Sequence, residues 1–197
     1  MPPFVRSAIK RPLPKKKELE ILQGLADEGA LDLYYFDESS FSLQPNIPYG
    51  WQKKGETIEL ESTRSPSLNA LGFLTKENTL VPYLIEGSVD RFVVVEVFED
   101  FLSPLDSTRR KVIVIDNAPA HTSEFFQLHE EHWKEKYNAE LFPLPTYSPE
   151  LNIIEILWRF VKYQWLPWEA YQSIEKLLEE RWNVFLHVGD DFIISFG

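Results

Sequence analysis

Apolar positions change their period several times along the chain, and each change marks a predicted element. Leu19, Leu22, Leu25 and Ala26 recur at helical spacing from near Lys15 until Gly29, a suitable stop, which predicts a helix of about three turns. Leu31, Leu33 and Tyr35 then alternate with Asp32, Tyr34 and Phe36, the pattern of a strand running into Asp37. Gly50 to Gly55 holds a tryptophan and two lysines between glycines and reads as a hairpin or loop, followed by extended segments at Ser67 to Leu74 and Thr79 to Glu86. From Asp90 to Leu105 the β-branched run Phe92 to Val95 is strand-like, yet the length favours a helix. Its broad apolar face would hold Val93, Val97, Phe101, Leu105, Val94, Phe98 and Leu102, with Asp90 as N-cap.

Lys111 to Ile115 is a short apolar run of the kind found in buried central strands, and it ends at Asp116. Thr122 or Ser123 is placed to cap a helix through Tyr137, and a short strand follows near Leu141 and Phe142. After the proline-punctuated Pro143 to Pro149, the pair Ser148-Pro149 suits the cap and first turn of a helix that carries Glu155 and ends before Pro167. A last helix has Tyr171, Ile174, Leu178, Trp182 and Phe185 spaced for one face. Strands first, then strands alternating with helices, give an α/β class. The 197 residues suffice for one core, so residues 1–14 read as a basic, Pro-rich leader and 15–197 as a single domain.

Composition narrows the chemistry. The chain has no cysteine, which excludes disulfides and thiolate metal sites and suits a reducing, cytoplasmic setting. No apolar run is long enough to span a bilayer, and the N-terminus lacks the apolar stretch of a secretory signal, so no membrane partner is expected. The net charge of -11 argues at first against a phosphate-rich partner. It is unevenly spread, however: the first 17 residues carry six basic side chains and no acid, leaving 14 basic against 31 acidic in the remainder. A solubilising tail and a DNA-touching arm both fit such a start.

Among so many acids, three stand out by position. Asp37 and Asp116 each end an apolar strand pattern, and Glu155 lies on the helix after the proline-rich loop. Open α/β sheets place their sites at strand ends. If the two strands are neighbours and the helix crosses them, three mutually repelling carboxylates converge, and cations would relieve that repulsion. Hard oxygen donors select Mg²⁺ or Mn²⁺, and a pair of such ions suits in-line phosphoryl displacement.

The residues around these acids carry a family resemblance. Asp37-Glu38-Ser39, the run Asp116-Asn117-Ala118-Pro119-Ala120-His121-Thr122-Ser123, and Tyr147-Ser148-Pro149-Glu150-Leu151-Asn152 leading to Ile154-Glu155-Ile156-Leu157-Trp158 resemble the mariner-type DDE transposases and their bacterial insertion-sequence relatives. The second and third blocks are the specific ones. The likeness runs from about Asp32 to the closing Phe192 to Gly197. It implies a ribonuclease H-like fold with a central mixed five-stranded sheet flanked by helices. It further implies Asp37, Asp116 and Glu155 as catalytic ligands of two Mg²⁺ or Mn²⁺ ions, and cleavage and strand transfer of DNA at transposon ends and target. The chain departs from the family in having Ile153 where proline is usual, and in a slightly long separation, 39 positions, between Asp116 and Glu155. Only 36 residues precede Asp37, too few for the helix-turn-helix units of full-length relatives, so a separate DNA-recognition segment is expected.

Further candidates follow from placement. Glu38 alternates away from Asp37, which favours a surface or supporting acid over a ligand. Asn117 either orients Asp116 or closes the turn, and His121 either positions DNA or a water, or packs at a helix start. Asn152, three residues before Glu155, is expected on the same helix face, and Arg159 and Lys162 further along that face suit phosphate contacts or helix-surface ion pairs. Five of the six tryptophans lie in the last third, mostly as packing, with base stacking or a homodimer interface as the alternative. The rival functions are an inactive transposase remnant that only folds and interacts, a general ribonuclease H-like nuclease, and a two-carboxylate glycosidase.

Overall fold

The structure, a computed structural model, describes residues 14–43, 68–116, 124–146 and 148–196. Among these residues, five strands make one sheet: β1 (Asp32–Phe41), β2 (Leu68–Leu74), β3 (Leu80–Glu86), β4 (Lys111–Ile115) and β5 (Ala139–Pro143), in the order β3-β2-β1-β4-β5. β2 is antiparallel to β1 and to β3, whereas β4 and β5 run parallel to β1 and to each other, so the sheet is mixed. The described residues also form five α-helices: α1 (Lys15–Asp27), α2 (Arg91–Leu102), α3 (Glu124–Tyr137), α4 (Ile153–Phe160) and α5 (Ile174–Leu186).

Strand alternation divides the core in two. Leu33, Tyr35 and Phe41 of β1, with Val112 and Val114 of β4, point to one face and pack with Leu19 of α1, Ile154, Leu157 and Trp158 of α4, and Leu177, Val184 and Phe185 of α5. Phe36, Ile113 and Ile115 point to the other and meet Phe98 and Phe101 of α2 and Phe126 and Trp133 of α3. On this second face Phe73 stacks on Phe101 at a centroid distance of 3.7 Å and Phe98 on Trp133 at 4.7 Å. Glu99 of α2 accepts from Trp133 Nε1 and Tyr137 Oη, each at 2.8 Å, which braces α2 against α3.

Several expected boundaries shift, each for a local reason. β1 continues to Phe41 instead of stopping at Asp37, because β2 pairs with it out to Phe41↔Leu68; only its parallel pairing with β4 ends early, at Tyr35↔Val114. Asp90 caps α2 as expected, its carboxylate accepting from Phe92 N at 2.9 Å and Val93 N at 3.1 Å. α2 stops at Leu102 rather than Leu105: Ser103 keeps helical backbone and donates to Glu99 O, but Pro104 has no N–H with which to continue the ladder. The helix bearing Glu155 does not begin at Ser148-Pro149. A single 3₁₀ turn, Pro149–Leu151, comes first, Asn152 is extended, and α4 opens at Ile153. It runs into a π-turn, Val161–Trp165, and ends before Pro167.

The predicted face of the last helix is also turned. Tyr171 belongs to a separate 3₁₀ segment, Trp168–Gln172, and the buried residues of α5 are Leu177, Arg181, Val184 and Phe185, while Trp182 is 44% exposed. Arg181 is the cause. Its Nε donates to Leu177 O at 3.1 Å and its guanidinium lies 4.6 Å from the Phe41 ring centroid, where burial lowers its pKa to about 10. Of the other tryptophans, Trp133 and Trp158 are core and Trp165 and Trp168 half-buried, so packing accounts for most of them. The expected Gly50 to Gly55 hairpin and the Thr122 or Ser123 cap lie outside the described residues.

Candidate functional site

Register and alternation bring two of the singled-out acids together. β1 and β4 are adjacent and parallel, with Leu33↔Val112 and Tyr35↔Val114 as partners whose side chains share the α1/α4/α5 face. Asp37 lies two residues past Tyr35 within β1, and Asp116 two past Val114, just after β4 ends, so continued alternation directs both toward that same face. Both are half-buried. Glu38 alternates to the other face and is exposed, as its position after Asp37 predicts.

α4 supplies the third acid from above. Its Ile154, Leu157 and Trp158 are buried against the sheet, and Gly72 of β2, the residue paired with Asp37, leaves room for them. A Cβ at Gly72 would stand 3.1 Å from Trp158 Cη2 and 3.3 Å from Ile154 Cδ1, so this glycine sets how closely α4 approaches the strand carrying Asp37. Glu155, on the first turn of α4, is half-buried, and its pKa is raised, chiefly by burial and then by Asp116 and Glu150. Lys162 lies in the π-turn, its ammonium pushed down by burial and pulled up by Asp37, with Nζ 5.1 Å from the Phe41 ring centroid. Charge at this end of the sheet is therefore coupled in two pairs, Glu155 with Asp116 and Lys162 with Asp37.

Asn152 departs from its expected place. It does not share a helix face with Glu155 but caps the turn before α4, fully buried, and its Nδ2 donates to Phe36 O at 3.1 Å. Its Oδ1 has no hydrogen-bond partner among the described residues. It thus joins the start of α4 to the peptide immediately before Asp37. Arg159 is exposed on the last turn of α4. Asn117 and His121 lie outside the described residues. Sequence reasoning missed Gly72 altogether; an isolated glycine within an apolar strand, between Leu71 and Phe73, is the signal that marks such close approach.

Among the described residues, no three His, Asp or Glu side chains stand close enough together to hold a metal ion. The donor chemistry nevertheless fits a hard divalent cation. Asp37, Asp116 and Glu155 are all oxygen donors, and beside the burial that chiefly raises the Glu155 pKa stands repulsion from Asp116 and Glu150, which a cation would relieve.

Residues 32–178 match the family described as DDE superfamily endonuclease. The chain belongs to that family. Among curated proteins it is similar to the Tcb2 transposase of a transposable element in Caenorhabditis briggsae, 36% identical over 40% of this chain and 28% of that protein. It is likewise similar to the Tc1 transposase of Caenorhabditis elegans, 38% identical over 38% of this chain and 27% of that protein. Similar solved structures include the Mos1 mariner paired-end complex with Mn, with a TM-score of 0.60 at 18% identity over 90% of this chain and 55% of that one. The Mos1 paired-end complex with the left transposon end gives 0.59 at 16% identity over 98% of this chain and 61% of that one. The chain therefore spans about three tenths of the matched curated relatives and less than two thirds of the matched Mos1 chains. The mixed five-stranded sheet with helices on both faces is the ribonuclease H-like fold. No described helix is long and apolar enough to cross a membrane.

Proposed function

We propose that this chain is the catalytic domain of a DDE transposase of the insertion-sequence kind, acting on DNA in the cytoplasm, with Asp37, Asp116 and Glu155 as the ligands of two Mg²⁺ or Mn²⁺ ions. One observation supports the reading: β1 and β4 are adjacent and parallel, Asp37 and Asp116 each follow the paired Tyr35 and Val114 by two residues, and Glu155 of α4 is half-buried with its pKa raised by burial and then by Asp116. Family membership and the fold shared with Mos1 transposase support it.

The reaction class is in-line displacement at phosphorus. Water breaks a phosphodiester at the transposon end, and the freed 3′-hydroxyl then attacks a phosphodiester of the target. Divalent ions held by Asp37, Asp116 and Glu155 would supply charge neutralisation at the phosphate and make the attacking water more acidic. The protein contributes placement. The strands carry two of the ligands, Asn152 ties the start of α4 to β1, and Gly72 sets how closely α4, which carries Glu155, approaches the strand of Asp37. Lys162, held next to Asp37, and the exposed Arg159 meet phosphate oxygens of the incoming strand. The domain works with a separate DNA-recognition segment, and a homodimer is the assembly in which two transposon ends are handled together.

The test is Mn²⁺-dependent nicking and strand transfer on DNA, wild type against Asp116→Asn. The variant loses activity by about two orders of magnitude or more. Equal activity in both would remove the catalytic assignment.

A further inference from the structure

α1 reverses into β1 through the short turn Glu28–Leu31, so the two elements lie antiparallel, and both contribute to the same core face. Thirteen helical residues cover about 20 Å at ~1.5 Å per residue. A strand covers that distance in about six residues. Counting from Asp32, the first turn of α1 therefore stands level with Asp37. Side-chain contacts agree: Gln23 Nε2 donates to Tyr35 Oη at 2.8 Å midway along α1, and Lys15 Nζ lies 4.4 Å from the ring centroid of Phe142. Phe142 is the β5 partner of Val114, one side-chain repeat short of Asp116 on the same face.

That first turn reads Lys15-Lys16-Lys17, all three exposed, and it continues the basic leader with Arg6, Lys10 and Arg11. Lys15 has Glu18 at 3.2 Å as its ion-pair partner, so Lys16 and Lys17 carry most of the outward charge. On the opposite side of the carboxylates, over β1 and β2, α4 and its π-turn bring Arg159 and Lys162. The end of the sheet that carries Asp37 and Asp116 thus has cations on α1 to one side and on α4 and its π-turn to the other, in a body whose remaining sequence is strongly acidic.

We infer that Lys15, Lys16 and Lys17 form the second wall of a nucleic-acid track, holding the phosphate backbone of duplex DNA as it passes the carboxylate end of the sheet; this rests on the proposed DNA-cleaving function. Contacts of this kind carry no base specificity and make affinity salt-dependent, with a slope of about 0.9 per phosphate neutralised.

The test measures binding of a fluorescent duplex by the full chain across a salt series, without divalent ions. Wild type is compared with the Lys15→Gln/Lys16→Gln/Lys17→Gln variant and with Lys16→Gln/Lys17→Gln, which leaves the Phe142 contact intact. Lys76→Gln is the control, since Lys76 pairs with Asp27 at the far end of α1. Melting curves check that each variant is folded. Low-salt affinity is expected to fall about tenfold in the triple variant, with a shallower salt slope by about 2, while Lys76→Gln matches wild type. If wild type binds DNA and both lysine variants bind it equally well with the same slope, the track is overturned and the DNA-cleaving reading stands. If wild type fails to bind DNA at any salt, both are overturned.

Discussion

Glu155 pays for its position in protonation energy. Burial, with Asp116 and Glu150 adding to it, raises its folded pKa above the ordinary carboxylate value, so the fold favours the protonated form. The stability linked to that proton is complete below the ordinary carboxylate range and is lost as pH rises through the raised value. Glu155→Gln should therefore raise the melting temperature at neutral pH in metal-free buffer, by about 2 °C or more for a chain of this size, while abolishing cleavage. A lower melting temperature would mean that Glu155 contributes to folding rather than to the site. Asn152 predicts the opposite. Its amide is fully buried and joined to Phe36 O, so Asn152→Ala should cost about 1–3 kcal/mol in urea unfolding and reduce cleavage through misplacement of α4. Unchanged stability and activity would show that the tie is dispensable.

At the level of elements, α4 is the part that positions the site, and Gly72 controls its height above the sheet. Gly72→Ala pushes a methyl against Trp158, Leu80 and Ile154, at an expected cost of about 1–3 kcal/mol. Cleavage should fall by more than the stability loss explains; a proportional fall would show that α4 tolerates the shift. On the other face, Glu99 braces α2 and α3. Burial pushes its carboxyl up, but hydrogen bonds from Tyr137 and Trp133 and the nearby Lys136 and His132 hold it below the ordinary value. That stabilisation is present above the usual carboxylate range and disappears as pH falls through the lowered value, so Glu99→Gln should flatten the acid limb of the stability profile. The elements themselves were largely legible, because alternation and helical spacing follow directly from which side chains a sheet and its helices bury. α4 and α5 were misplaced because polar residues decide them. Asn152 reaches back to β1 and delays the helix, and Arg181 is drawn inward to Leu177 O and the Phe41 ring, which a count of apolar positions assigns to solvent.

Over the whole molecule, Asp116 after β4 and Glu155 on α4 stand where the strand-end and helix patterns put them, Asp37 lies inside β1 and not at its end, and how the three stand to one another depends on the β1–β4 register, which no local pattern contains. The same holds for the approach of α1 to that end of the sheet. A net charge of -11, with three of its acids half-buried, makes the protein's stability sensitive to divalent ions. The most direct test is the melting temperature of wild type, Asp37→Asn, Asp116→Asn and Glu155→Gln with and without millimolar Mn²⁺. Wild type should gain stability, by about 2.7 kcal/mol where the ion stands at a hundred times its dissociation constant, and each substitution should remove most of that gain. A wild type indifferent to Mn²⁺, or a variant that keeps the full gain, would contradict a single metal centre built from these three carboxylates.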